Sequence, residues 1–167
     1  MTKFSVTTLE AVAFGATMFG SACINNLFVT YYMDLFCGVV SVSSGWFFVA
    51  QIIFMLWNAL NDFVFGWFSD KEASGKGAKP KHHPVHSRAR VIRNGGVLWG
   101  IAFMLIWYPP DASAPDIWKG LHFALSLCMY DGMLSYVEVN HSALLAEICT
   151  SSSGRATCNM YVLLYIS

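Results

Sequence analysis

Charge is scarce in this sequence. Asp, Glu, Lys and Arg make up 12% of the residues, against about 25% in an ordinary soluble domain, and the net charge is zero, so no overall field points to nucleic acid as a partner. Strand-like alternation of apolar and polar residues is also lacking, which excludes a membrane barrel built from roughly ten-residue alternating segments. The five cysteines (Cys23, Cys37, Cys128, Cys149, Cys158) are scattered and never spaced as C-x-x-C, so neither a disulfide framework nor a structural zinc site follows. No nucleophile and base stand together and no metal-ligand spacing stands out, which argues against an enzyme and implies neither cofactor nor metal.

What the chain has in abundance is grease. Apolar residues account for 56% and aromatics for 16%, gathered into blocks at about 6–33, 42–68, 91–108 and 117–138. Each is close to the ~20 residues of helix that cross a bilayer. A further block, 156–167, is only 12 residues long; at ~1.5 Å per residue it reaches about 18 Å into a ~30 Å core. The expected fold is therefore all-α, a polytopic bundle of four spans and the start of a fifth, read as the front part of a longer protein. "FGSAC" before Cys23 has the look of a cleavage box, but the apolar run continues past it, so the segment reads as a retained first helix.

The basic residues are unevenly placed. Seven of ten (Lys71, Lys76, Lys79, Lys81, Arg88, Arg90, Arg93) lie between the second block and the first turn of the third. By the positive-inside rule the loop 69–90 and the amino terminus are expected in the cytoplasm, with the plasma membrane as the favoured location. Such a loop can also attract anionic lipid, at about 1 kcal/mol per basic residue near the surface. "HHPVH" (His82, His83, His86) reads as a solvated loop, because no acid or cysteine completes a site. Asn140-His141-Ser142 matches a glycosylation sequon but falls at the inner end of a span, out of reach of lumenal enzymes.

Polar residues inside the apolar blocks carry the functional signal. Asn58, Asn61 and Asp62 fall at i, i+3 and i+4 and share one helix face. An intramembrane acid costs on the order of 3 kcal/mol, so this face is expected to look into a bundle interior or a wet cavity. The fourth block repeats the theme with Asp131, Glu138 two helical turns along, then Asn140, His141 and Glu147. These carboxylates could bind a small cation, share a proton or pair with a basic group; the plainer alternative is interhelical hydrogen bonding worth about 1 kcal/mol each.

The stretch Gly66-Trp67-Phe68-Ser69-Asp70-Lys71, closing the second block before a basic loop, resembles the signature between helices two and three of the major facilitator superfamily. "AFG" at 13–15, "YYMD" at 31–34, "WNALNDFVFGW" at 57–67 and "EVNHSALLAEI" at 138–148 followed by Arg155 are similar to the glycoside-pentoside-hexuronide:cation symporters, whose second helix reads W-D-A-x-N-D-P-x-x-G-W. The resemblance covers nearly the whole chain. It implies twelve helices in two halves, with a small polar solute, sugar-like, and Na+ or H+ carried between them; this chain would supply most of the first half, lack the carboxy-terminal one, and not transport alone. It assigns Asn58, Asn61, Asp62 and Glu138 to the coupling ion or proton, Thr17 to the substrate cavity, and Gly66, Ser69, Asp70, Lys71 and Arg155 to the gate; Asp131 and His141, from their own positions along the fourth block, are further candidates for that cavity. Asn58 and Thr17 stand where the family carries aspartates, Asn140 where it carries a proline, and Asp131 has no counterpart. Those neutral replacements leave a second reading open, a multi-pass membrane scaffold or surface protein built on a transporter fold.

Overall fold

In the computed structural model, residues 7–73, 84–149 and 151–166 are described. Every regular element among them is helical. Helix α1 (Thr8–Met33) is continued by a π-helical turn, Asp34–Val39; α2 spans Ser44–Ala73, α3 Pro84–Ile106, α4 Asp116–Ile148 and α5 Ser152–Ile166. Three stretches are long and apolar enough to cross a membrane: Thr8–Val39, Ser44–Phe68 and Arg88–Ile106. Helix α4 is long enough, at 33 residues, but its acids, histidines and small residues lower its hydropathy. That composition belongs to its position, because α4 lies against both α2 and α3 and takes side-chain contacts from α1.

Local chemistry explains the helix starts. Thr7 caps α1 through a reciprocal box: its hydroxyl oxygen accepts from the Glu10 N–H at 3.3 Å while the Glu10 carboxylate accepts from the Thr7 N–H at 2.8 Å, satisfying two of the donors that a helix start leaves orphaned. Pro84 opens α3, where its missing N–H costs nothing. At the opposite end of the bundle, Asp116 in the first turn of α4 accepts from the Ser43 N–H at 3.2 Å, which ties the start of α4 to the start of α2. The chain turns into α2 through Ser41, a non-glycine residue with φ 56°, a backbone state that costs on the order of 1 kcal/mol or more.

Helix α4 packs along α2 on one side and α3 on the other, α1 packs against α5, and α1 reaches α4 through its side chains. Near the α2 and α4 starts, aromatic rings fill the gap: Phe28 lies 4.0 Å from Tyr130 and Phe36 4.5 Å from Phe123, centroid to centroid. At the other end Ala11, Phe14, Cys149 and Cys158 form a smaller buried cluster, with the two sulfurs 3.1 Å apart. In lipid an apolar contact gains little from leaving solvent, so close packing and hydrogen bonds decide which helices meet. Glycines supply the close packing. A Cβ on Gly120 would lie 2.6 Å from the Trp46 indole, one on Gly132 2.9 Å from Trp57, and one on Gly95 3.0 Å from Tyr136 and Val137.

Two predictions follow from this packing. Gly120→Ala overpacks the α2–α4 seam and should lower stability by about 1–3 kcal/mol, whereas Gly100→Ala, whose Cβ meets nothing within 4 Å, should be neutral or mildly stabilising; thermal unfolding of both variants in detergent checks the contrast. The second concerns the linker before α4. Asp111 is held below the usual aspartate range by the backbone N–H and then the hydroxyl of Ser113, and Asp116 by its hydrogen bonding to Ser43. A folded pKa below the unfolded one gives stability that is present above the ordinary aspartate pKa and lost as pH falls through the lowered value. Acid titration of unfolding should show that loss below about pH 4, and Asp116→Asn should flatten it.

Candidate functional site

Between the aromatic layer and the cysteine cluster lies a polar layer, and α4 is its spine. Asp131 sits at the midpoint of α4. Two amides from α2 close on it: Asn58 Nδ2 donates to Asp131 Oδ1 at 3.3 Å, and Asn61 Nδ2 donates to Asp131 Oδ2. The i, i+3 spacing on α2 is what lets both reach one carboxylate. Asn61 is 1% exposed, and its own Oδ1 has no hydrogen-bond partner among the described residues. A buried acceptor left without a donor costs about 1–3 kcal/mol, so this oxygen marks a place where a donor or a cation would be stabilised.

Two turns further, Glu138 accepts from Ser21 of α1 at 3.2 Å. One turn beyond that, the buried His141 ring stacks on Phe14 at 3.9 Å, and its Nε2 lies 2.7 Å from Thr17 Oγ1 and 3.3 Å from the Phe14 carbonyl. The Thr17 hydroxyl donates to that same carbonyl at 2.7 Å, an arrangement that fits a proton on Nε2. Tyr130 donates to Asn25 Oδ1 at 3.3 Å. Thr17, Ser21 and Asn25 are therefore a polar stripe of α1 at i, i+4 spacing, all bonded to α4. Asp62 is exposed on α2, near enough for its charge to act on both Asp131 and Glu138. Among the described residues no lysine or arginine pairs with Asp62, Asp131 or Glu138. Asp131 and Glu138 are met instead by neutral donors, the Asn58 and Asn61 amides and the Ser21 hydroxyl, and Asp62 is exposed.

The residues that the resemblance assigns to a gate are more dispersed. The Lys71 ammonium lies 5.0 Å from the Trp67 ring centroid, a cation–π contact. A Cβ on Gly66 would meet nothing within 4 Å among the described residues, so no described helix packs closely there. Ser69 and Asp70 belong to the last turns of α2, and their side chains lie outside the described residues, as do His82 and His83. Arg155 of α5 donates from Nε to the Cys149 carbonyl at 2.9 Å, satisfying one of the acceptors at the end of α4. Among the described residues no group of three or more His, Cys, Asp or Glu side chains is placed to hold a metal ion.

Sequence reasoning missed an ion pair. Arg88, buried near the start of α3, donates from Nε to Glu147 Oε1 at 2.7 Å and reaches Asn140 Oδ1 at 3.3 Å. Asn140 in turn donates to the Tyr136 carbonyl at 2.8 Å, so the residue that replaces the family's proline is committed to this junction of α3 and α4. Arg88 was hidden among the basic residues of the loop; only the turn of α3 beginning at Pro84 separates it from its neighbours.

Residues 11–165 match the family described as MFS/sugar transport protein. The chain belongs to this family. It is 36% identical to mouse transmembrane protein 180 over 161 residues, which covers 93% of this chain and 30% of that protein, and 34% identical to the chicken transmembrane protein 180 over 157 residues, covering 90% and 29%. The chain thus spans less than a third of the length of these curated relatives. No solved structure gives a significant match. Family, relatives and apolar helices together make it a multi-pass membrane protein.

The Arg88–Glu147 pair gives a direct check of the junction. Glu147→Ala removes the carboxylate from a buried guanidinium and should cost about 3 kcal/mol, far more than a surface pair. A double-mutant cycle with Arg88→Met, read by unfolding in detergent, should return a coupling energy well above the ~1 kcal/mol ceiling of exposed pairs.

Proposed function

We propose that this chain is the amino-terminal part of a secondary active transporter that carries a small polar solute, sugar-like in chemistry, coupled to Na+ or H+. In this reading α4 is a fourth crossing, α5 begins a fifth, and the polar layer of α1, α2 and α4 is one wall of a central cavity completed by the carboxy-terminal half. The single observation that carries the proposal is the convergence of Asn58 and Asn61 on Asp131 beside the unpartnered Asn61 Oδ1. Asp131 would be the coupling carboxylate, standing in for the charge that Asn58 lacks; Asn58 and Asn61 orient it, Asn61 Oδ1 offers a further oxygen ligand, and Asp62 and Glu138 add charge nearby. Thr17, held by His141, offers hydroxyl chemistry to a solute. Gly66 to Lys71, with Arg155, would form the inner gate of the full-length bundle, on the cytoplasmic side if the basic loop sets the orientation.

A specific observation favours a second reading. Thr17 and Asn58 are neutral and already bonded within the chain, which suits a scaffold that has given up transport.

Thermal unfolding of the full-length protein across Na+ concentration and pH separates the two. Transport predicts an upward shift of several degrees with Na+, or with protons, that Asp131→Asn abolishes while the protein stays folded. A shift left intact by Asp131→Asn, Asp62→Asn and Glu138→Gln alike would remove the coupling role, and no shift under any condition, with no solute uptake in liposomes, would favour the scaffold.

A further inference from the structure

One side of α3 has no part in the polar layer. Taking ~100° per residue, His86, Arg90, Arg93, Val97, Ile101 and Met104 fall on one stripe less than about 90° wide. All six are exposed. The apolar part is strongly so, with Val97 at 63% and Ile101 at 59%. His86, Ala89, Arg90 and Arg93 line an open cavity of about 500 Å³. Arg88, two residues from Arg90, points the other way into the bundle and is committed to Glu147. Among the described residues neither Arg90 nor Arg93 forms an ion pair with a carboxylate; Arg93 Nε reaches only Asn94 Oδ1, at 3.4 Å.

We propose that this stripe is a binding site for one anionic phospholipid, with the phosphate held by His86, Arg90 and Arg93 and the acyl chains lying along Val97, Ile101 and Met104. The charge fits: two guanidinium forks and an imidazole converge on a cavity, and the guanidinium matches phosphate oxygens bidentately. The position fits as well. Arg93 is one turn, ~6 Å, from Val97, so the cationic cavity borders the apolar stripe at the level where headgroup gives way to hydrocarbon. A free anion would use only the cavity. A lipid uses the cavity and the stripe together, and this continuity selects it over a soluble phosphate. The inference needs only that α3 crosses a membrane and stands apart from any transport activity.

The test is native mass spectrometry of the purified protein released from detergent after titration with phosphatidylserine or phosphatidylcholine. The wild type should retain phosphatidylserine at least tenfold over phosphatidylcholine. Arg90→Gln combined with Arg93→Gln should bring the two lipids level, with helical content by circular dichroism unchanged because both side chains are exposed. Glycerophosphoserine, the headgroup without its chains, should not compete at concentrations that saturate the lipid. Equal retention of the two lipids by the wild type, a preference that survives the double substitution, or full competition by the free headgroup would each overturn the proposal; the last would make the cavity a site for a soluble anion. Should the double variant not fold, raising the ionic strength several-fold on the wild type replaces it: the preference should fall steeply by screening, and one indifferent to salt is incompatible with the site.

Discussion

A carboxylate cannot be left facing acyl chains. On the insertion scale an acid at the centre of a spanning helix costs about 3 kcal/mol, and this chain places Asp131 at the midpoint of α4 and Glu138 two turns away. The arrangement of the neighbouring helices follows from that constraint. Asn58 and Asn61 turn α2 toward Asp131, and Ser21 turns α1 toward Glu138. Thr17 and Asn25 extend the contact along α1, to His141 and Tyr130. The apolar layers on either side contribute shape rather than direction, since a ring packed on a ring in lipid loses little by rotating toward a lipid tail. Asp131 and Glu138 thus help to set which faces of α1 and α2 look toward α4, although Asp62 stays exposed, and the glycines of α3 and α4 set how closely the helices approach.

Much of this was legible in the residues. The apolar blocks and the absence of strand patterning gave an all-α membrane chain, and the motifs around 57–71 and 138–155 gave the family that the match over residues 11–165 shows. The shared face of Asn58, Asn61 and Asp62 was readable from their spacing alone, but only the two asparagines bond to α4 and Asp62 stays exposed. The asparagines' partner was not readable: Asp131 has no counterpart in the family pattern, and the register of α2 against α4 is a tertiary fact, settled by where Gly132 admits Trp57. Ser21 and Asn25 carried a signal that was overlooked, the i, i+4 spacing from Thr17. Arg88 read as one more loop cation because the apolar pattern of the third block begins after it, whereas α3 begins at Pro84. Hydropathy locates what lipid covers, and the helices here continue past it.

The two ends of the polar layer are closed by different means. Toward the linkers, the rings of Phe28, Tyr32, Phe36, Phe47, Phe123 and Tyr130 pack into an apolar cluster. Toward the basic loop, the Arg88–Glu147–Asn140 junction and the small cluster of Phe14, Cys149 and Cys158 join α3, α4, α1 and α5 through polar bonds and slim side chains.

The π-helical turn that finishes α1 carries its own implication. Its wider bonding, seen in the Val40 N–H reaching the Leu35 carbonyl at 2.9 Å, stores one residue more than an α-helical turn would hold. Phe28, Tyr32 and Phe36 recur every four residues, and a loosened coil is what lets Phe36 still reach Phe123 at the end of that series. Tightening the coil to regular geometry would swing Phe36 around the axis and away from its seat. The widened turn thus fixes the seat of Phe36 at the rim of the bundle and leaves the polar stripe of α1 below it in regular α-helix.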